Sequence, residues 1–242
     1  MNIPKIVHAS WHEYLQPIFQ DRKMDMLTEE VFKDNFYPDK QDVFKVFKMP
    51  FDKVRVVALG QDPYSKKGQA TGLAFAVGVD TMEPASLRVI RGEVARERGE
   101  DGRGVLVDPV HWNTDDWKTL NHWWHQGILL LNAALTVKAG VSGSHMATWQ
   151  WFTKEVIRTI SINGNRPIWL MWGSKAKGYV GYIHGYYKWN NVWKGDGYNY
   201  ILEADHPAAE TYPGSSYKFS GCGHFQKVNE ILKHKGQSPI YW

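Results

Sequence analysis

The chain has 242 residues, 43% of them hydrophobic, and no long polar or Pro/Gly-rich linker divides it, so a single domain over residues 1–242 with one sizeable core is expected. It contains no run of about 18 apolar residues and no basic stretch followed by an apolar one near residue 1, which points to a soluble, intracellular protein of the cytoplasm or nucleus. A net charge of +4 suits a polyanionic partner without demanding one, and the single cysteine, Cys222, excludes an intrachain disulfide and any multi-cysteine metal site.

Helical apolar spacing runs over residues 6–20 and 28–35, with a shorter helix over 41–47. The β-branched, mostly apolar run 54–59 reads as a buried parallel strand. A helix over 86–98 follows Glu83-Pro84-Ala85, then a polar, Gly-rich passage at 99–104, a connection containing Trp and Asp, and a helix through 120–125. Strands are expected at 128–131, 168–172 and 200–202, with a helix over 149–162 between the first two of these. Strands separated by helices imply an α/β fold: a central four-stranded parallel sheet flanked by helices in three αβα layers. The aromatic stretch 184–200 is expected to pack on the sheet edge as a hairpin, with an added ligand contact as the other reading.

The 12 Trp and 12 Tyr leave open a carbohydrate-binding or other aromatic-platform module. Trp123, Trp124, Trp149, Trp151, Trp169 and Trp172 lie in or beside apolar segments, however, where burial is the default. His122 and His125 have helical spacing for a metal, but no third ligand accompanies them in sequence. Each expected strand ends near a polar residue: Asp62, Asn132, Ser174 and His206. Ligands bind at the carboxyl ends of strands in open α/β sheets, so these residues should converge on one edge.

Gly60-Gln61-Asp62-Pro63-Tyr64, Gly-Gln-Ala-Thr-Gly-Leu-Ala-Phe at 68–75, Leu-Leu-Leu-Asn at 129–132, Trp-Gly-Ser at 172–174 and His206-Pro207 occur in that order. The series resembles that of family 1 uracil-DNA glycosylases, and the resemblance covers nearly the whole chain, from Ser10-Trp11-His12 to Pro239-Ile240-Tyr241-Trp242. It implies a monofunctional glycosylase that flips uracil out of DNA and hydrolyses its N-glycosidic bond with no cofactor and no metal. By the same resemblance Asp62 positions the attacking water and stabilises the sugar cation, while His206 donates to uracil O2 as the base leaves. Asn132 reads the base through its amide, Phe75 stacks on it, Tyr64 excludes a methyl group at C5, and the Gln61 backbone lies against it. An amide donor and acceptor side by side match uracil O4 and N3–H and mismatch cytosine. His145, in Ser142-Gly143-Ser144-His145, is expected near the water, while Ser86, Gly173, Ser174 and Pro207 are expected along the DNA backbone. The partners so implied are uracil-containing DNA, single- or double-stranded, and also a DNA-mimicking inhibitor protein or replication factors, with the enzyme itself a monomer.

The chain also departs from the family. The wedge loop, His-Pro-Ser-Pro-Leu-Ser in the family, is here His206-Pro207-Ala208-Ala209-Glu210-Thr211, which puts Glu210 in the place of the inserted Leu. An acid pushed into a base stack is unfavourable on desolvation and charge grounds, so Tyr212 is expected to serve as wedge, with Tyr217 second. Two other readings stand beside this one: a glycosylase for a 5-substituted uracil, and a DNA-binding or polymerase-associated subunit of the same fold.

Overall fold

The structure is a computed structural model that describes residues 1–97 and 116–242. Helix α1 (His12–Gln20) buries Leu15, Ile18 and Phe19, an i, i+3, i+4 stripe facing the core. Asp21 ends it and caps α2 (Arg22–Val31) by accepting from the Lys23 N–H at 2.8 Å. The cap draws the second helix toward the N-terminus of the expected span, and the short helix expected over 41–47 is a pair of 3-10 turns, Lys40–Asp42 and Lys45–Lys48. The strands β1 (Phe36–Tyr37), β2 (Val56–Gly60) and the helix α3 (Ala85–Glu97) follow. The Gly-rich passage at 99–104 and the Trp- and Asp-containing connection after it lie largely outside the described residues.

Beyond it come α4 (Asp116–Thr119), α5 (Asn121–His125), β3 (Ile128–Asn132), β4 (Val137–Lys138), α6 (Met146–Asn163), β5 (Ile168–Trp172) and α7 (Ser174–Lys177). The chain finishes with β6 (Tyr186–Lys188), β7 (Asn199–Ala204) and α8 (His224–His234). Strands β2, β3 and β5 are buried at every position, which is why their sequences are continuous apolar runs rather than alternating ones.

The main sheet has the order β3-β2-β5-β7-β6, every neighbouring pair parallel, and β1 pairs antiparallel with β4 in a separate ribbon. The sheet thus has five strands, one more than the sequence suggests. The extra strand comes from the stretch 184–200, which is not a hairpin: β6 runs parallel to β7, and the crossover packs Trp193 against Tyr200 at 5.1 Å between ring centroids. A three-residue edge strand with two exposed positions carries no buried apolar run to announce it.

Trp11, Trp123, Trp149, Trp169, Trp172 and Trp242 are at most 1% exposed. Several of their indole N–H groups are tied inside the core, Trp149 to Thr136 Oγ1 at 2.7 Å and Trp172 to His224 Nδ1 at 2.9 Å. Among the described residues these six indoles are therefore core, while Trp124, Trp151, Trp189 and Trp193 are half-buried. From β2 the chain moves to β3 on one side and then to β5 on the other, so a crevice opens where the order reverses, at the carboxyl ends of these strands. Among the described residues no helix is long and apolar enough to cross a membrane.

Candidate active site

A cleft of about 490 Å³ occupies that crevice, and Gln61, Asp62, Tyr64, Phe75, Asn132 and His206 line it together with Ser86, Ser142 and Tyr212. Asp62 leaves the turn after β2 and is held by the loop that precedes α6. Its Oδ2 accepts from the Gly143 N–H at 2.5 Å and from the Ser142 hydroxyl at 3.1 Å. Charge-assisted bonds from a fixed loop fix the carboxylate's direction.

Asn132 ends β3 directly opposite Gly60 of β2. A Cβ at residue 60 would lie 2.4 Å from Asn132 Oδ1, so the amide occupies space that only glycine leaves free. Asn132 is 6% exposed, and among the described residues its side-chain amide makes no hydrogen bond. A buried amide without a protein partner at a cleft wall is poised for a ligand.

His206 follows β7. Its Nδ1 accepts from the Ala208 N–H at 3.2 Å, which leaves the proton of the neutral ring on Nε2 as a donor. Burial depresses its pKa below the ordinary value, and the Asp62 charge opposes that shift without cancelling it. The ring is packed from behind by Gly173, whose φ of +89° and missing Cβ let the β5 turn approach to a point where a side chain would stand 2.8 Å from His206 Cβ.

Phe75 forms one face of the cleft with φ at +66°, a left-handed conformation rare for a bulky residue. Its ring lies 5.4 Å from that of Trp172 and 6.3 Å from that of His206. Tyr64 donates to the Phe75 carbonyl at 3.1 Å and shares a 2.9 Å bond with the Ser86 hydroxyl. Burial pushes its phenol up to about 12, only partly offset by the Ser86 bond, so Tyr64 is a neutral wall of the cleft.

Three expected site residues, His145, Ser86 and Pro207, stand elsewhere or act differently. His145 does not line the cleft: its ring is buried, with Nδ1 on Thr136 Oγ1 at 2.9 Å and Nε2 on Asp34 at 3.2 Å. Both nitrogens are engaged in anchoring the loop that holds Asp62, and the groups facing the carboxylate are Ser142 and Gly143. The Ser86 hydroxyl bonds Tyr64 rather than pointing free, and Pro207 is buried as the first residue of a 3-10 turn, Pro207–Thr211. Ser174 is exposed beside the cleft's back wall at the start of α7. Tyr212 lines the cleft rim and is 66% exposed, whereas Glu210 is folded away onto residues 219–220.

Among the described residues Glu93, Glu97 and Cys222 bring ligating atoms within 4.8 Å of one another, away from this cleft. The donor set does not fit a metal. Glu93 already accepts from Arg96 at 2.7 and 2.8 Å, from the Gly221 N–H at 2.8 Å and from the Gly223 N–H at 3.0 Å. Burial raises Glu97 and pushes the Cys222 thiol up to about 12, so both are held toward their protonated, poorly ligating forms.

A parallel sheet that gathers an acid, a neutral imidazole and an amide at its strand ends is an open α/β fold with its ligand cleft at the topological switch point. The profile of the Uracil DNA glycosylase superfamily matches residues 48–233. The chain is 36% identical over 98% of its length to a Porphyromonas gingivalis uracil-DNA glycosylase, of which it covers 98%. To a Neisseria gonorrhoeae uracil-DNA glycosylase it is 36% identical, covering 96% of this chain and 98% of the relative. A solved mimivirus uracil-DNA glycosylase shares the fold with a TM-score of 0.80 at 23% identity, covering 100% of this chain and 89% of that one; a variant of the viral UNG has been solved in complex with UGI. The chain belongs to the uracil DNA glycosylase superfamily.

Proposed function

We propose that this chain excises uracil from DNA, hydrolysing the bond between the base and deoxyribose C1′ and leaving an abasic site for base excision repair. The observation that carries the reading is the meeting of Asp62, the Nε2 donor of His206 and the unpaired Asn132 amide in one cleft beneath Phe75. The cleft takes a single extruded base, so a uracil within a duplex has to leave the stack first.

As the C1′–N1 bond breaks, its electron pair moves onto the base and positive charge builds on the sugar. Asp62, fixed by Gly143 and Ser142, stabilises that cation and orients a water whose oxygen bonds to C1′ while its proton passes to the carboxylate and on to solvent. His206 donates from Nε2 to uracil O2, where negative charge accumulates, and remains neutral because its Nδ1 is committed to the Ala208 N–H. Asn132 pairs with O4 and N3–H, and Tyr64 fills the space next to C5 against a methyl group. The exposed Ser174, Lys66 and Lys67 meet the DNA backbone, and Tyr212 enters the gap left by the flipped base. The enzyme works as one domain, on DNA inside the cell, and its DNA-binding face is where a DNA-mimicking inhibitor docks.

The test is release of free base from matched oligonucleotides carrying one U, T, C or 5-hydroxymethyl-U. Release from U alone is the expected result; no release from any of them with DNA still bound would replace the reading with a binding subunit.

The depressed pKa of His206 sets a second expectation. A His whose pKa is lowered by burial stays neutral as pH falls through the ordinary 6.5 and takes up a proton only below it. Uracil release from single strands should therefore hold level from pH 8 to below 6.5, and an activity break at or above 6.5 that vanishes in His206→Asn would show the imidazole to be charged in the working enzyme. Tyr212→Ala should lower activity on duplex relative to single-stranded substrate by about tenfold, the worth of one base–aromatic stack. An unchanged ratio would remove Tyr212 from the wedge role.

A further inference from the structure

Glu210 occupies the sequence position at which related loops carry an inserted apolar side chain, yet its carboxylate points into its own loop. Oε2 accepts from the N–H groups of Phe219 at 2.7 Å and Ser220 at 2.8 Å, and Oε1 accepts from the Ser220 hydroxyl at 2.5 Å. Burial works against its ionisation, but these bonds outweigh it and hold the carboxyl below its ordinary range.

The far side of this contact is rigid. Phe219 is fully buried, with its ring 4.9 Å from that of Trp172, and Trp172 in turn backs Phe75. Glu210 thus ties the beginning of an exposed excursion to an end already anchored behind the base platform. From within the loop, the Ser215 hydroxyl donates back to the Ala209 carbonyl, just before Glu210, at 2.7 Å, and the Ser215 N–H to the Tyr212 carbonyl at 3.0 Å. Tyr212 is left standing at the cleft rim, 66% exposed.

We propose that Glu210 is a positioning residue whose carboxylate buckles the loop 210–220 shut, so that Tyr212 is presented to a duplex as a preorganised wedge. The acid that is unsuited to enter a base stack has become the clasp for the ring that does. Preorganisation is what a wedge requires, because ordering the loop during base extraction would cost conformational entropy at the moment the stack is opened. Single-stranded uracil needs no wedge, so the effect is specific to duplex DNA. The proposal rests on the excision reading above.

The experiment compares kcat/KM for uracil release from a single strand and from the same strand in a U·A duplex, for the unmodified chain, Glu210→Ala, Glu210→Gln, Tyr212→Ala and the double variant Glu210→Ala/Tyr212→Ala. Glu210→Ala should lower the duplex-to-single-strand ratio by about tenfold, with single-strand activity within about twofold of the unmodified chain. Glu210→Gln should recover most of the ratio, since its amide oxygen still accepts from the two backbone N–H groups. The double variant should be no worse than Tyr212→Ala, because the clasp acts only through the ring.

An unchanged ratio in Glu210→Ala, or an equal loss on both substrates, would overturn the proposal; the second result would make Glu210 a support of the fold alone. If Tyr212→Ala also leaves the ratio unchanged, the wedge assignment falls with it. Absence of uracil release by the unmodified chain from either substrate would instead strike the excision reading.

Discussion

Asp62→Asn is expected to slow uracil release by about 10³-fold while leaving the fold and DNA binding in place. The substitution keeps the side-chain shape and one oxygen that can accept from the Gly143 N–H, so the turn after β2 should stay where it is. What disappears is the negative charge facing the developing sugar cation and the acceptor for the water's proton. Once bound DNA excludes water from the cleft, a preorganised charge is worth far more than in water. Removing an anion from a surface that meets phosphates should also hold DNA affinity steady or strengthen it. Single-turnover release from a single-stranded oligonucleotide, set beside a binding isotherm for the same strand, separates the two effects. A loss under tenfold would mean that another group carries the cation, and a loss explained by weaker binding would mean that Asp62 is not the reacting-centre carboxylate.

The meeting of Asp62, Asn132 and His206 was readable from sequence because strand ends dictate it, whereas their roles rest on the family resemblance. The runs before Asp62 and Asn132 and the strand before His206 are continuous or nearly continuous apolar segments, and parallel strands of one sheet bring their carboxyl ends to one edge. The residues sequence missed are those whose role depends on the path of a loop. His145 is expected near the water from the resemblance of its segment alone, but its ring is consumed by Asp34 and Thr136, and the neighbours that touch Asp62 do so through a backbone N–H and a small hydroxyl. Backbone donors leave no trace in residue type. Glu210 likewise sits at the wedge position in linear register, and only the fold of 210–220 shows its carboxylate satisfied inside the loop. The fifth strand escaped because β6 is short and half exposed, held by pairing with β7 rather than by an apolar signature of its own.

Gly60→Ala should cost about 10²-fold or more in kcat/KM for uracil at a stability loss of about 1–3 kcal/mol. Gly60 is extended and buried in β2, so the new methyl brings no backbone strain; its effect is spatial. The added Cβ would meet Asn132 Oδ1 at 2.4 Å and Ala74 Cβ at 3.0 Å. Neither β2 nor β3 can retreat, because the two strands are in register along their whole length and β2 is clamped by β5 on its other side. The amide is the softest member of the contact and must swing out of the plane in which it meets a base. A buried site left unable to pair with its ligand loses discrimination steeply, since the polar groups of the base are then desolvated without compensation. Steric relief and recognition can be told apart with Gly60→Ala/Asn132→Ala: shrinking the side chain should restore most of the melting temperature but none of the activity. Activity within about threefold of the unmodified chain in Gly60→Ala would show that Asn132 does not read the base from its place above Gly60.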